Sequence, residues 1–252
     1  MVTASDIQES LIQFRDDTQA RILQRYFQTF PGGYGEGDIF LGLRVPQIRK
    51  IVHEARLQVP FPDIHSLLLS PIHEDRSAGF LLLVEEMNAA LPRRHEPPTA
   101  HADRRHEIAT FYLAHATHAN NWDLVDTSCP TIIGQLLLLH APDGNPHSRQ
   151  LLHTLAQSSN IWEQRIAIVS NLTLIRHNDT STFLQIADSL LAHPHDLIHK
   201  AIGWMLREVG KVDKLLLTSY LDSHLPHLPR VTLRYAIERL SPSERSYYLH
   251  KH

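Results

Sequence analysis

The stretch SSNIWEQRIAIVSNL, residues 158–172, decides the fold class. Its apolar residues Ile161, Ile168 and Leu172, continued by Ile175, fall on one face of a helix. Ile198, Ile202, Met205 and Val209 repeat the pattern. Alternating runs bounded by hairpin dipeptides, the mark of strands, are hardly present. Working outward, prolines, glycines and polar clusters cut the chain into helices. These fall near 4–29, 45–57, 61–69, 73–91, 102–118, 121–140, 147–157, 160–176, 180–192, 195–210, 212–223, 228–240 and 242–250. Pro46, Pro71 and Pro229 stand where first turns are expected. PGGYGEGD, from Pro31 to Asp38, reads as a connector, and Pro92–Pro98 and Ala141–Pro146 as loops.

Successive helix pairs recur at about 35–45 residues, the spacing of HEAT-like arrays, in which a single pair cannot bury its apolar face alone. The expected fold is all-α: an α-α superhelix, or solenoid, of HEAT-like helical repeats with a concave face. Residues 1–252 are expected to form a single repeat domain.

Composition narrows the classes. The 252 residues include 24 Lys+Arg, 27 Asp+Glu, 19 His and one Cys, for a formal charge of −3. One cysteine excludes an intrachain disulfide framework and a Cys-rich zinc module. The start, MVTASDIQESLIQFRDD, lacks the basic end and apolar core of a signal peptide. No apolar run approaches the roughly 20 residues of a spanning helix. A cytoplasmic monomer with no membrane association is expected. The charge is too small for a protein that coats nucleic acid by bulk electrostatics.

Three stretches put polar residues on apolar faces. In NNWDLVDTSCP, residues 120–130, Trp122, Asp126 and Cys129 share a helical face with Ile133. Asp123 lies about 100° round and supports the helix start. Asp126 reads either as a cap or structural ion pair, or as a site carboxylate. In residues 158–172, Arg165 falls within the apolar stripe, and its guanidinium needs a carboxylate or phosphate. Asp126 is one candidate partner. In HKAIGWMLREVGK, residues 199–211, Trp204 follows Gly203, which costs a helix about 1 kcal/mol relative to Ala. Close backbone approach is one reason for such a glycine. Trp204 reads as core or site, and Arg207 and Lys211 as a phosphate contact or a solvated edge.

In this order, with LGLRVPQIRKI (41–51) before and PRVTLRYAIERL (229–240) after, these motifs resemble the DNA alkylation repair (AlkD-like) family of HEAT-like repeat DNA glycosylases. The resemblance runs from Tyr26 to Tyr235. It implies excision of positively charged N3- or N7-alkylated purines from double-stranded DNA, in base excision repair, without a cofactor. It also implies recognition on an open surface rather than in a deep base-flipping pocket. By the resemblance, Asp126 matches the catalytic aspartate and Trp122 the tryptophan one turn before it. Arg165 matches the active-site arginine, Trp204 the second tryptophan, and Tyr26 in QRYFQTF an active-site tyrosine.

Rival readings make specific demands. A non-catalytic HEAT-repeat scaffold, binding DNA or protein, would leave Trp122, Asp126, Arg165 and Trp204 unexplained. A metal hydrolase would need more than the pairs His115/His118, His193/His195 and His224/His227, none of which forms HExxH; no metal is expected. GGYGEGD lacks the Lys-Ser/Thr ending of a phosphate loop. Charge is uneven: from residue 195 onward nine Lys/Arg face six Asp/Glu, a net +3, leaving −6 before it. Lys200, Arg207, Lys211, Arg230 and Arg234 are the expected DNA-backbone contacts.

Overall fold

Helix starts explain the first departure from these expectations. The computed structural model describes residues 1–139 and 148–252. Thr3 and Asp6 form a reciprocal capping box at the head of α1 (Ala4–Ile12). Asp16 then accepts from the Thr18 and Gln19 N–H groups, both at 2.9 Å, and starts α2 (Asp17–Tyr26). Its own N–H donates to the Leu41 carbonyl at 3.0 Å. A continuous helix would direct that N–H to the preceding turn, so the expected 4–29 helix becomes two.

Pro46 lies in the first turn of α3 (Val45–Ala55) and Pro62 in that of α4 (Phe61–Leu68), where a missing N–H goes unfelt. The chain continues through α5 (His73–Ala89), α6 (Ala102–Ala114), α7 (Trp122–Leu137), α8 (Ser148–Ala156) and α9 (Ile161–Val169). Pro71 precedes α5 by two residues rather than entering its first turn. After Ser170 comes α10 (Asn171–Arg176). The Asn171 amide donates to the Ala167 carbonyl at 2.7 Å, competing with the backbone ladder where the 160–176 helix divides. Then follow α11 (Ser181–Leu190), α12 (Asp196–Val212), α13 (Lys214–His224), α14 (Arg230–Ala236) and α15 (Pro242–Lys251). Pro229 caps α14. The expected loop at 141–146 lies outside the described residues.

Among the described residues there is no strand, only an isolated bridge between Ile39 and Ile72. The fold is an all-α arrangement of helical repeats, and no described helix is long and apolar enough to cross a membrane. Backbone contacts gather into two compact units, residues 1–132 and 133–252. In the first, α5 is central and packs on α1, α3, α4 and α6. In the second, α12 is central and packs on α9, α10, α11, α13 and α14. Gly203 sits where α12 meets α14: a Cβ there would stand 2.6 Å from the Thr232 carbonyl oxygen and 2.6 Å from the Tyr235 Cβ. Close backbone approach is thus the reason for this glycine.

Candidate functional site

The first unit builds an aromatic site around Trp122, the first residue of α7. Phe27, which ends α2, and Phe40 are buried with Ala20, and Leu23, Tyr34 and Trp122 pack against them. Trp122 stacks on Phe27 at 5.3 Å and 27°. Phe27 stacks on Phe40 at 5.2 Å and 13°, and Phe40 on the His73 ring at 4.4 Å and 22°. Tyr26, 60% exposed, meets Trp122 edge-on at 6.1 Å. Asp126 is half-buried one turn along α7, and the same helical face continues inward to fully buried Cys129.

The connector from Pro31 to Asp38 folds back to complete this site. Tyr34 accepts from the Trp122 indole N–H at 3.4 Å, and its hydroxyl donates to the Tyr26 carbonyl at 3.0 Å. It therefore ties together the two aromatic residues of the resemblance. Asp38 is buried and pairs with Arg76 and with His73.

His73, Glu74, Asp75 and Arg76 are four successive buried polar residues at the head of α5. None was singled out from the sequence, where charges on a first turn read as solvated. Their partners come from distant segments. His73 donates from Nδ1 to Asp38 at 3.0 Å and from Nε2 to Asp123 at 2.9 Å. Burial would lower its pKa, but the charge and hydrogen bond of Asp123, with those of Asp38, outweigh it and raise the value to about 9. His73 is therefore an imidazolium at neutral pH. Burial alone would raise Asp38, yet His73 and Arg76 hold its carboxyl below the usual range. Glu74 accepts from the Leu41, Gly42 and Leu43 N–H groups at 2.9, 2.8 and 3.1 Å. Gly42 has φ +97°, and a Cβ there would meet the Asp16 carbonyl oxygen at 2.1 Å. Asp75 accepts from Gln8 at 2.9 Å and Ser70 at 2.7 Å. The HEDR run, followed at once by an apolar helix, was the one available signal.

In the second unit, Arg165 is 5% exposed on α9 and donates to the Leu197 carbonyl at 2.5 Å, joining α9 to the first turn of α12. Trp204 is half-buried on α12. Among the basic candidates, Arg207 pairs with Glu238, and Lys211 with Glu208 at 2.6 Å. Lys200 is half-buried, while Arg230 and Arg234 are exposed. Arg230 approaches the His252 ring at 3.4 Å. Among the described residues, no group of three or more His, Cys, Asp or Glu is placed to hold a metal ion. His65 and His115 hydrogen-bond each other at 2.7 Å.

These features accompany a family match. The chain matches the DNA alkylation repair enzyme family over residues 7–240 and belongs to that family. Its fold is similar to that of a solved structure described as a predicted DNA alkylation repair enzyme from Enterococcus faecalis. The two share 15% identity at a TM-score of 0.64, covering 90% of this chain and 97% of that one. No curated protein shows significant similarity to the chain. Family membership gives the protein a role in the repair of alkylated DNA.

Proposed function

We propose that the protein is a DNA glycosylase that removes N3- and N7-alkylated purines from duplex DNA. The observation that carries this reading is the aromatic edge of Tyr26 and Trp122, one helical turn from Asp126, in a chain that matches the repair family over nearly its whole length. Alkylation gives the purine a formal positive charge, so the base departs with the electron pair of its N-glycosidic bond and leaves neutral. Positive charge then develops on the deoxyribose. Asp126 stabilises that charge and orients the water that attacks the anomeric carbon; the water's proton passes to Asp126 or to solvent. The product is an abasic site. A carboxylate in a partly dry site does this better than one in bulk water.

The ring faces of Trp122 and Trp204 select a cationic nucleotide, each contact contributing about 0.5–2 kcal/mol depending on desolvation. Tyr26 adds to the substrate-binding edge. Arg165 holds a phosphate next to the lesion. Because Arg207 and Lys211 already pair with Glu238 and Glu208, the backbone contacts rest mainly on Lys200, Arg230 and Arg234.

The test is product analysis on methylated duplex DNA. Wild-type protein is expected to release 7-methylguanine or 3-methyladenine and leave abasic sites. Asp126→Asn is expected to keep fold and DNA affinity while losing most release, roughly a hundredfold or more. No release above the spontaneous rate would remove the reading and leave a DNA-binding scaffold.

A further inference from the structure

The connector from Pro31 to Asp38 is built to place one side chain, Tyr34. At Gly33 an added Cβ would stand 1.9 Å from the Gln28 carbonyl oxygen, and at Gly35 2.3 Å from the Phe27 carbonyl oxygen. Only glycine lets the chain lie this close to the end of α2. The Gly35 and Gly37 N–H groups donate to the Gln28 and Thr29 carbonyls, both at 3.3 Å. Glu36 accepts from the Gly32 N–H at 2.9 Å, and buried Asp38 fastens the far end to His73 and Arg76. A connector fixed at these points holds Tyr34 in place before any substrate arrives.

Trp122 needs such a partner. Its stack on Phe27 sets the plane of the ring but not its angle within that plane, because a stacked contact has little in-plane direction. The ring also borders a cavity of about 350 Å³, lined from Leu23 on α2 to Thr127 on α7, which leaves it room to turn. A hydrogen bond to the indole N–H is directional and supplies the missing constraint. The Tyr34 hydroxyl accepts that bond and donates its single proton to the Tyr26 carbonyl. One hydroxyl thus sets the angle of Trp122 relative to the backbone that carries Tyr26.

We infer that Tyr34 is a positioning residue: its hydroxyl holds the Trp122 ring at the angle that meets the cationic nucleotide, and base release is faster for it. The second half of the inference rests on the glycosylase reading. Recognition stays on an open surface, and the aromatic edge of that surface is preformed rather than assembled on binding.

The experiment uses the full chain and Tyr34→Phe, which keeps the ring and its packing and removes only the hydroxyl. Solvent exchange of the indole N–H groups is followed by NMR on protein carrying isotope-labelled tryptophan. The chain has three tryptophans, and Trp122→Phe identifies the Trp122 signal. In Tyr34→Phe the Trp122 N–H is expected to exchange severalfold faster, with Trp162 and Trp204 as in the wild type. Single-turnover base release from methylated duplex is expected to slow about tenfold, with duplex affinity unchanged. In a Trp122→Phe background, Tyr34→Phe is expected to cost no further rate. Unchanged release, or an equal loss in both backgrounds, overturns the inference and keeps the glycosylase. Wild-type protein that releases no base removes the glycosylase. N–H exchange then decides the positioning alone: faster exchange confined to Trp122 keeps it, and unchanged exchange overturns it.

Discussion

His73 shows how much a single side chain can organise. It lies 3% exposed between two carboxylates and joins the start of α5 to Asp38 before it and Asp123 after it. Removing a partner from such a buried pair is far costlier than the pair's net contribution, because a charge is left unpaired. Its pKa is raised from 6.5 to about 9 on folding, so its contribution is complete below pH 6.5 and is lost as pH rises through about 9. The size is about 3 kcal/mol. Urea unfolding of the wild type is therefore expected to show falling stability between those two pH values. In His73→Gln that alkaline slope is expected to vanish, with lower stability throughout the neutral range. A wild-type curve that stays flat across the interval would show that His73 is not held charged.

At the scale of elements, α5 and α12 do different work within their own units. The first turn of α5 is a polar hub: Glu74 orders Leu41–Leu43 by three backbone N–H groups, and Asp75 reaches Gln8 on α1. The contacts of α12 are set by shape, and Gly203 lets α14 approach its backbone. Alanine is the better helix former by about 1 kcal/mol, so an isolated α12 would gain from Gly203→Ala. In the protein the added Cβ meets backbone at Thr232, which cannot swing aside as a side-chain end can. A net loss of about 1–3 kcal/mol is expected, read as a lower denaturant midpoint with unchanged helical content before unfolding. A higher midpoint would mean that α14 shifts without penalty.

Across the whole molecule, ion pairing redistributes the charge expected to meet DNA. Beyond residue 195, Arg207, Lys211 and Lys214 pair with Glu238, Glu208 and Glu244, which leaves the +3 excess unchanged and places it on the other cations. In the first unit, exposed Arg21, Arg25, Arg44, Arg49 and Lys50 pair with no carboxylate among the described residues. Duplex affinity is therefore expected to depend on both ends of the sequence. Arg234→Ala is expected to reduce the slope of log affinity against log salt by about one, and Arg207→Ala by clearly less. Equal changes would show that the Arg207–Glu238 pair opens on DNA.

Periodicity in residues 158–176 and 198–209 was sufficient for the all-α class, because burying one face of each helix imposes a repeat that survives in a single sequence. The motifs around Trp122, Arg165 and Trp204 were sufficient for the family, because short helical segments keep their spacing. The start of α2 at Asp16 was passed over in the expected 4–29 helix, although its capping chemistry is local. Tyr34 behind Trp122, the Asp38–His73–Asp123 chain and the adjoining cavity were not. Their members come from positions 23 to 127, and carboxylates 35 and 50 residues from their histidine leave no periodic mark. Whether a charged residue is solvated or buried depends on which distant groups meet it, and packing alone brings those groups together.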